Sequence, residues 1–227
     1  MLLDLPSTRE ESWRWGDPAA IAAAAGLPRG EALAGAWFLD LEGARAVFVD
    51  GVLDAARSDL RHVAIAPLEG GEHVLGRRTT GHGWSLRVDA NASAELIQIV
   101  HISTGGDNQL PAEIVLAGGA QASVVETYVG TGWSNRSTRI TLGAGAKLTR
   151  AVRLLQASGF VSLRDEADVG AGASLIVTVL GAGDAGTRID GAITVSGELR
   201  NTSPAIAIRS PRNRKRRIWR LPSGRMT

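Results

Sequence analysis

The chain has 227 residues, enough for one hydrophobic core and a smaller appendage. Hydrophobic residues make up 44% of it and aromatic residues only 4%, which favours a core of Val, Ile, Leu and Ala. The absence of cysteine excludes a disulfide framework, a thiolate metal site and a cysteine nucleophile, and it fits a reducing compartment.

The net charge of +2 hides two regions of opposite charge. Residues 199–227 contain nine of the 25 basic residues and none of the 23 acidic ones, so the rest of the chain carries a net charge of −7. Five of the nine basic residues lie within 212–217. The acidic body and the basic tail therefore call for separate interpretations.

The N-terminal region is predicted to be helical. Ser7-Thr8-Arg9-Glu10 has the form of a capping box and predicts a short helix through Trp13. Asp17-Pro18 predicts a second helix over Ala19–Ala25, with aspartate as N-cap, proline at the first helical position and Gly26 as terminator. Met1–Pro6 lacks the basic region and apolar run of a signal peptide, and no segment reaches the ~18 apolar residues of a membrane span. We expect a cytoplasmic protein that does not enter a membrane.

The next segments mix strand-like and loop-like patterns. Residues 36–41 and 44–49 are strand-like, residues 55–62 suit one or two helical turns, and glycine-rich residues 69–83 suit a loop. Residues 84–88 and 94–102 then begin a strand-rich body.

The body is organised by a repeat. Ile114–Ala120 returns as Ile140–Ala146 and again as Ala167–Ala173, and a partial copy follows at Ile193–Gly197. The apolar residue before each turn is at 116, 142, 169 and 195, so the steps are 26, 27 and 26 residues. Each unit is a strand, a tight turn of glycine and alanine, and a second strand. A fixed step of this length predicts stacked coils of a parallel β-helix or β-solenoid.

Two glycine-rich segments resemble nucleotide-binding motifs, and we reject both. Gly181–Gly186 matches the dinucleotide fingerprint, but that motif needs a helix directly afterwards, and residues 187–195 are strand-like. Gly143–Lys147 has the wrong glycine spacing for a phosphate loop and lacks the following Ser or Thr. Both are predicted to be turns of the repeat.

Other candidate chemistry is equally weak. His73, His82 and His101 have no histidine partner three or four residues away, and the first two fall in the predicted loop. Asp165, Glu166 and Asp168 are close in sequence, and a solvated strand face accounts for them. We therefore predict no catalytic, cofactor-binding or metal-binding residues, and no enzymatic activity.

Several segments, in order and spacing, resemble the SufB/SufD family and its SufD branch in particular. They are Leu5–Trp15, Val47–Gly51, Ser58–Leu60, His101–Gly106, Ile114–Tyr128 and Arg139–Thr149, and the resemblance spans residues 5–198. It implies a cytoplasmic, non-catalytic scaffold of iron–sulfur cluster assembly that works with SufB and the ATPase SufC. It also implies that the clusters and ATP are handled by the complex, with ATP on SufC. The lack of cysteine favours SufD over SufB.

The resemblance ends at Glu198, where the periodicity stops and the basic tail begins. We predict an N-terminal helical or mixed region at 1–67, a loop at 68–83, an incomplete β-helix at 84–198 and a basic, disordered tail at 199–227. A shifted reading frame or truncation would explain the change, and it would remove the SufC-docking region and impair the scaffold. An unfinished last coil predicts self-association through its open edge.

The alternative hypothesis is a free-standing β-solenoid whose Arg-rich tail binds nucleic acid or an anionic surface. Trp219 is the only aromatic residue in the tail, so bases would find little to stack on. We rank this hypothesis second.

Overall fold

A computed structural model describes residues 5–10, 16–35, 37–61, 63–71 and 74–196. These residues contain a single α-helix, α1, and ten strands, with 3₁₀ turns at Ala55–Arg57 and Gly76–Arg78. The elements are α1 Pro18–Ala25, β1 Ala44–Val49, β2 Val52–Leu53, β3 Val63–Leu68, β4 Gly81–Val88, β5 Ile97–Leu116, β6 Gln121–Leu142, β7 Lys147–Leu154, β8 Phe160–Val169, β9 Ser174–Gly181 and β10 Gly186–Val195.

The strands form a parallel β-solenoid of about four turns, as the repeat predicts. Leu116 of β5 aligns with Leu142 of β6, Leu142 aligns with Val169 of β8, and Val169 aligns with Val195 of β10. These are the four positions at which the sequence steps by 26, 27 and 26 residues. The predicted repeat length therefore equals the number of residues in each observed coil.

Each coil contributes to two facing sheets. Sheet 1 contains β4, the second halves of β5 and β6, then β8 and β10. Sheet 2 contains β1, the first halves of β5 and β6, then β7 and β9. Two antiparallel pairs are added at the first coil, where β2 pairs with β1 and β3 pairs with β4. The sheets face each other across an interior of Ala, Val, Ile and Leu.

The first corner of each coil is the glycine-alanine turn. The central glycines, Gly119, Gly145 and Gly172, have φ values of 71°, 70° and 68°, which glycine adopts without the steric cost of a Cβ atom. Successive turns hydrogen-bond to one another: the N–H of Gly119 donates to the carbonyl of Ala144 at 2.8 Å, and that of Gly145 donates to Ala171 at 2.9 Å. The tight turns of glycine and alanine predicted for the repeat are therefore confirmed.

The second corner lies within the long strands β5 and β6, which bend from sheet 2 into sheet 1. Their pairing shifts register between Thr104 and Asp107. Gly130 sits at this corner with φ of 100°, and a Cβ atom there would lie 1.9 Å from the carbonyl oxygen of Ser103. Glycine is thus required by both backbone conformation and the close approach of the neighbouring coil.

The predicted helix after Asp17 is confirmed as α1. The Asp17 carboxylate accepts the N–H of Ala20 at 2.9 Å, Pro18 occupies the first helical position, and Gly26 is the C-cap. Ile21 and Ala24 pack against Trp133 and Phe160 on sheet 1. In the preceding segment Glu10 accepts the N–H of Ser7 at 3.1 Å, as in a capping box, whereas residues 11–15, including Trp13, lie outside the described residues.

Three local predictions differ from the structure. Residues 37–41 are not a strand, because side chains of sheet 2, rather than a neighbouring strand, bond their backbone. Strand β3 was not predicted; it is a half-buried antiparallel edge strand that contains Pro67, which breaks the usual strand pattern. The predicted loop at 69–83 includes a 3₁₀ turn and the first residues of β4. The predicted boundaries after 67 and 83 therefore fall inside β3 and β4.

Candidate functional site

Four charged side chains meet in the interior of the solenoid. Arg150 Nε lies 2.6 Å from Glu126 Oε1, and Arg136 Nη1 lies 3.0 Å from Glu126 Oε2. Both guanidinium groups also reach Asp165, at 2.8 Å for Arg136 and 2.9 Å for Arg150. The side chains of Glu126, Arg136 and Arg150 are fully buried, and that of Asp165 is 19% exposed. We call these four residues the buried ion network.

Strand alternation places the network inside. Glu126 aligns with the buried Ile99 of the preceding coil and Val152 of the following one. Arg150 also faces the interior, because it lies between the buried residues Leu148 and Val152 in the alternation of β7. Because Glu126 and Arg150 belong to sheet 2 and the other two residues to sheet 1, the network joins both sheets and two successive coils.

The electrostatics of the network depend on pairing. Its two carboxylates and two guanidinium groups sum to zero charge, which is the condition under which buried ions are tolerated. Burial opposes the charge on Arg150, but Asp165 and Glu126 more than compensate and raise its pKa. Among the described residues, Nε of Arg136 and Nη2 of Arg150 are buried without a hydrogen-bond partner, and each such orphan costs about 1–3 kcal/mol.

An aromatic stack lies beside the network. His101 lies between Phe48 and Tyr128, with ring centroids 5.4 and 4.7 Å away. The Tyr128 hydroxyl donates to Glu126 at 2.8 Å, and burial and Glu126 raise the pKa of Tyr128. Burial lowers the pKa of His101 to about 4, against the opposing attraction of Glu126, and neither ring nitrogen has a partner among the described residues.

The charged groups of this cluster are paired with one another. Each carboxylate is held by two guanidinium groups, and Glu126 also accepts a hydrogen bond from the Tyr128 hydroxyl. His101 is neutral and shielded by two rings. The arrangement fixes the relative position of two sheets and two coils.

The histidines singled out in the sequence do not come together. His82 is exposed on β4, rather than in a loop, and His101 is buried on β5, whereas His73 lies outside the described residues. Within the described ranges there is no group of three or more His, Asp or Glu side chains that could hold a metal ion.

The two glycine-rich segments are corners of the solenoid. Gly181 ends β9 and Gly186 begins β10, so the segment that matches the dinucleotide fingerprint leads into a strand. Gly143 and Gly145 belong to a first-corner turn, and Lys147 begins β7. Both interpretations as turns are confirmed.

The carboxylates of β8 have three different environments. Asp165 faces the interior and belongs to the buried ion network, so a solvated face does not account for it. Glu166 lies on the other face with Arg164 at 3.4 Å, and Asp168 is exposed. The network was not predicted from the sequence. Its signal is that Glu126 and Arg150 lie at inward-facing positions of strands whose other inward-facing residues are mainly apolar.

The last described coil has an open edge. Among the described residues, β9 pairs only with β7, and β10 pairs only with β8. Ile176, Leu180 and Ile193 on these strands are 54%, 45% and 56% exposed. Unpaired N–H and C=O groups beside exposed apolar side chains are the features of a strand edge that can pair with another chain.

Comparison with protein-family models finds no matching family, and comparison with curated proteins finds no significant match. In the part of the chain that the structure describes, no helix has the length and apolar character to cross a membrane. The tail at 199–227 lies outside the described residues, so nothing structural bears on the predictions for it.

Proposed function

We propose that the chain is a non-catalytic, SufD-like scaffold subunit of cytoplasmic iron–sulfur cluster assembly, acting with SufB and the SufC ATPase. The proposal rests first on the ordered segments between Leu5 and Thr149 that resemble this family. The observation that supports it best is the register of Leu116, Leu142, Val169 and Val195, which gives the parallel β-solenoid that the resemblance implies. In this proposal the cluster and ATP belong to the complex, with ATP on SufC.

A scaffold role agrees with the distribution of charge and exposed surface. The interior carries a neutral ion network whose groups are already paired with one another. Among the described residues, the outer edges of β9 and β10 have no strand partner, and three apolar side chains on these strands are exposed. Strand addition at such an edge is a common means of joining two chains. We propose this edge as the position where SufB, or a second copy of the chain, adds a strand.

Co-purification would test the proposal. The tagged full-length chain, co-expressed with SufB and SufC from the same genome, is expected to retain SufB and to retain SufC poorly. An Ile176→Lys variant should lose SufB, because a charge on β9 opposes strand addition at the edge. The matched control is Val52→Lys, since Val52 is 70% exposed on β2 at the other end of the solenoid. A folded chain that retains neither protein would refute the proposal, and strong retention of SufC would refute the assignment of its docking region.

The second candidate is nucleic-acid binding through the tail, which the run of basic residues at 212–217 favours. Neutralising phosphates with arginine releases counterions, so affinity for RNA or DNA would fall steeply with salt. Filter binding at several salt concentrations, with the full chain and a chain ending at residue 198, distinguishes this function from the scaffold. A steep salt dependence that requires the tail would support it, and salt-independent or absent binding would remove it.

A further inference from the structure

A cavity of about 290 Å³ opens on the outer face of sheet 2, beside the first corner of the solenoid. One wall is the segment that precedes β5, which includes Ala94, and the other walls are the first residues of β6 and β7. The polar side chains that line it are Ser93, Gln121, Ser123, Lys147 and Thr149. We call it the Lys147 cavity.

A bulge in the segment before β5 accounts for the cavity. Ser93 pairs with Gln121, whereas Ile97 pairs with Val124. Four residue steps on one side therefore face three on the other, which is the geometry of a β-bulge. In the next coil, by contrast, β6 and β7 align one to one from Gln121 onward. The extra residue bends the segment, and bulges of this kind are common beside functional sites because they redirect the chain and its side chains.

The five polar side chains of the Lys147 cavity form a regular array. Gln121 lies beside Lys147 and Ser123 lies beside Thr149, at about 4.8 Å between strands and about 7 Å along each strand. All of them are exposed. Among the described residues, none of these side chains forms a hydrogen bond or ion pair with another protein group. Their donors and acceptors are therefore available to a ligand.

The charge of the lining selects an anion. Lys147 is the only lysine in residues 1–198 and the only charged residue that lines the cavity. Glu95, the carboxylate of the bulge, lies outside the lining and is paired with Arg61 at 2.5 Å. An ammonium group without a carboxylate beside it repels a metal ion, and a lining without an aromatic ring gives a sugar no surface on which to stack. An ammonium group among hydroxyl and amide donors suits the oxygens of a phosphate group, which accept several hydrogen bonds each.

We propose that the Lys147 cavity binds the phosphate group of a small organic molecule. Lys147 supplies the positive charge, and the hydroxyl groups of Ser123 and Thr149 donate to the phosphate oxygens. The volume is at the lower limit of the roughly 300–1,000 Å³ that ligand cavities span, so a small organic part fits beside the phosphate, against Ser93 and Gln121. The proposal is independent of the scaffold function, because it uses no residue of the β9 and β10 edge.

Acetylation of lysine in the wild-type chain tests the proposal. The full chain is treated with an acetyl succinimidyl ester in inorganic phosphate or in sodium chloride of equal ionic strength, and each lysine is followed by peptide mass spectrometry. Bound phosphate covers Lys147 and favours its unreactive, charged form, so phosphate should slow its acetylation by about 5-fold or more. Lys215, the other lysine of the chain, is the internal control. Equal slowing of both lysines would mean general shielding of charge and overturns the proposal, as does acetylation of Lys147 that phosphate leaves unchanged.

Glycerol 3-phosphate tests the assignment to an organic phosphate. It should protect Lys147 at the same concentration as inorganic phosphate or a lower one, because the cavity has room for its carbon chain. A requirement for a higher concentration overturns this assignment.

Substitutions measured by isothermal titration with inorganic phosphate test the named side chains. Lys147→Gln should weaken binding by about 10-fold or more, and Ser123→Ala and Thr149→Val by about 3-fold each. The matched control is Arg139→Gln, which removes the same charge from an exposed position on sheet 1 and should bind as the wild type does. All four positions are exposed, so these variants are expected to fold. Equal dissociation constants for Lys147→Gln and Arg139→Gln would overturn the proposal.

Discussion

His101 gives the sharpest test of the interior. It is fully buried between Phe48 and Tyr128, and burial lowers its pKa to about 4, compared with 6.5 for an exposed histidine. The charged groups that face it are Glu126 on β6, which favours the protonated form, and Arg150 on β7, which opposes it. Replacing His101 with phenylalanine keeps a ring in the stack and removes the only histidine in this cluster.

The sign of the pH effect follows from the lowered pKa. Between about pH 6.5 and pH 4 the unfolded chain binds a proton that the folded chain does not, so protonation favours unfolding as the pH falls. The stability associated with a neutral His101 is complete above pH 6.5 and lost toward pH 4. The difference of 2.5 between the pKa of His101 in the unfolded and folded states corresponds to a loss of about 3 kcal/mol of unfolding free energy. About 2 kcal/mol of this loss occurs between pH 7 and pH 4.5. The unfolding free energy of His101→Phe should therefore fall less over this range, by about 2 kcal/mol.

Urea unfolding followed by tryptophan fluorescence at pH 7, 6, 5 and 4.5 measures this difference. The acidic groups of the protein titrate in both chains, so the wild type minus variant difference isolates His101. His82→Phe is the matched control, because it makes the same substitution at an exposed histidine on β4, outside the aromatic stack. Parallel profiles for wild type and His101→Phe would refute the claim that His101 is neutral and desolvated in the folded state.

Three further outcomes are expected. Arg150→Met should lower the unfolding free energy by about 3–5 kcal/mol in urea titrations, because it leaves two buried carboxylates with one guanidinium group; a cost below about 1 kcal/mol would contradict the network. Gly130→Ala should destabilise far more than Gly145→Ala, since the new Cβ atom lies 1.9 Å from a backbone oxygen at Gly130 but meets nothing within 4 Å at Gly145; equal melting temperatures would contradict this. The wild-type chain should self-associate, as measured by light scattering, and Ile176→Lys or Ile193→Lys should reduce this self-association. A monodisperse wild-type monomer would contradict strand pairing between chains at the edge of β9 and β10.

The number of residues in each coil could be predicted from the sequence because a residue of a solenoid packs against the equivalent residue of the next coil. Each residue of the repeat meets its counterpart one coil later, so Leu142 aligns with both Leu116 and Val169 without any long-range information. Turn glycines such as Gly145 and the cap of α1 at Asp17 were predictable for the same reason, since each is decided within a few residues.

The conformation of residues 37–41 and the buried ion network could not be predicted from the sequence, because both depend on contacts between distant segments. The apolar and aromatic residues at 36–41 resemble a strand, but the side chains of Gln98 and Arg153, far along the chain, bond the backbone of residues 37–41. The buried ion network needs the relative position of the two sheets, which the repeat within either sheet does not specify. A charged residue at an inward phase, such as Glu126 among valines, is the one signal in the sequence that marks it.

The network has a further consequence for how the coils find their register. Val, Ala and Ile recur at inward positions of successive strands, so a coil displaced by two residues would still bury apolar side chains. The steps of 26 and 27 residues show that the coils are not identical, and the second corner absorbs the difference. A displaced coil would separate Arg150 from Glu126 and Asp165 and leave charges buried without partners, at several kcal/mol each. Since the orphan donors of Arg136 and Arg150 offset part of the stability that pairing supplies, we infer that the network contributes more to selecting one register than to overall stability.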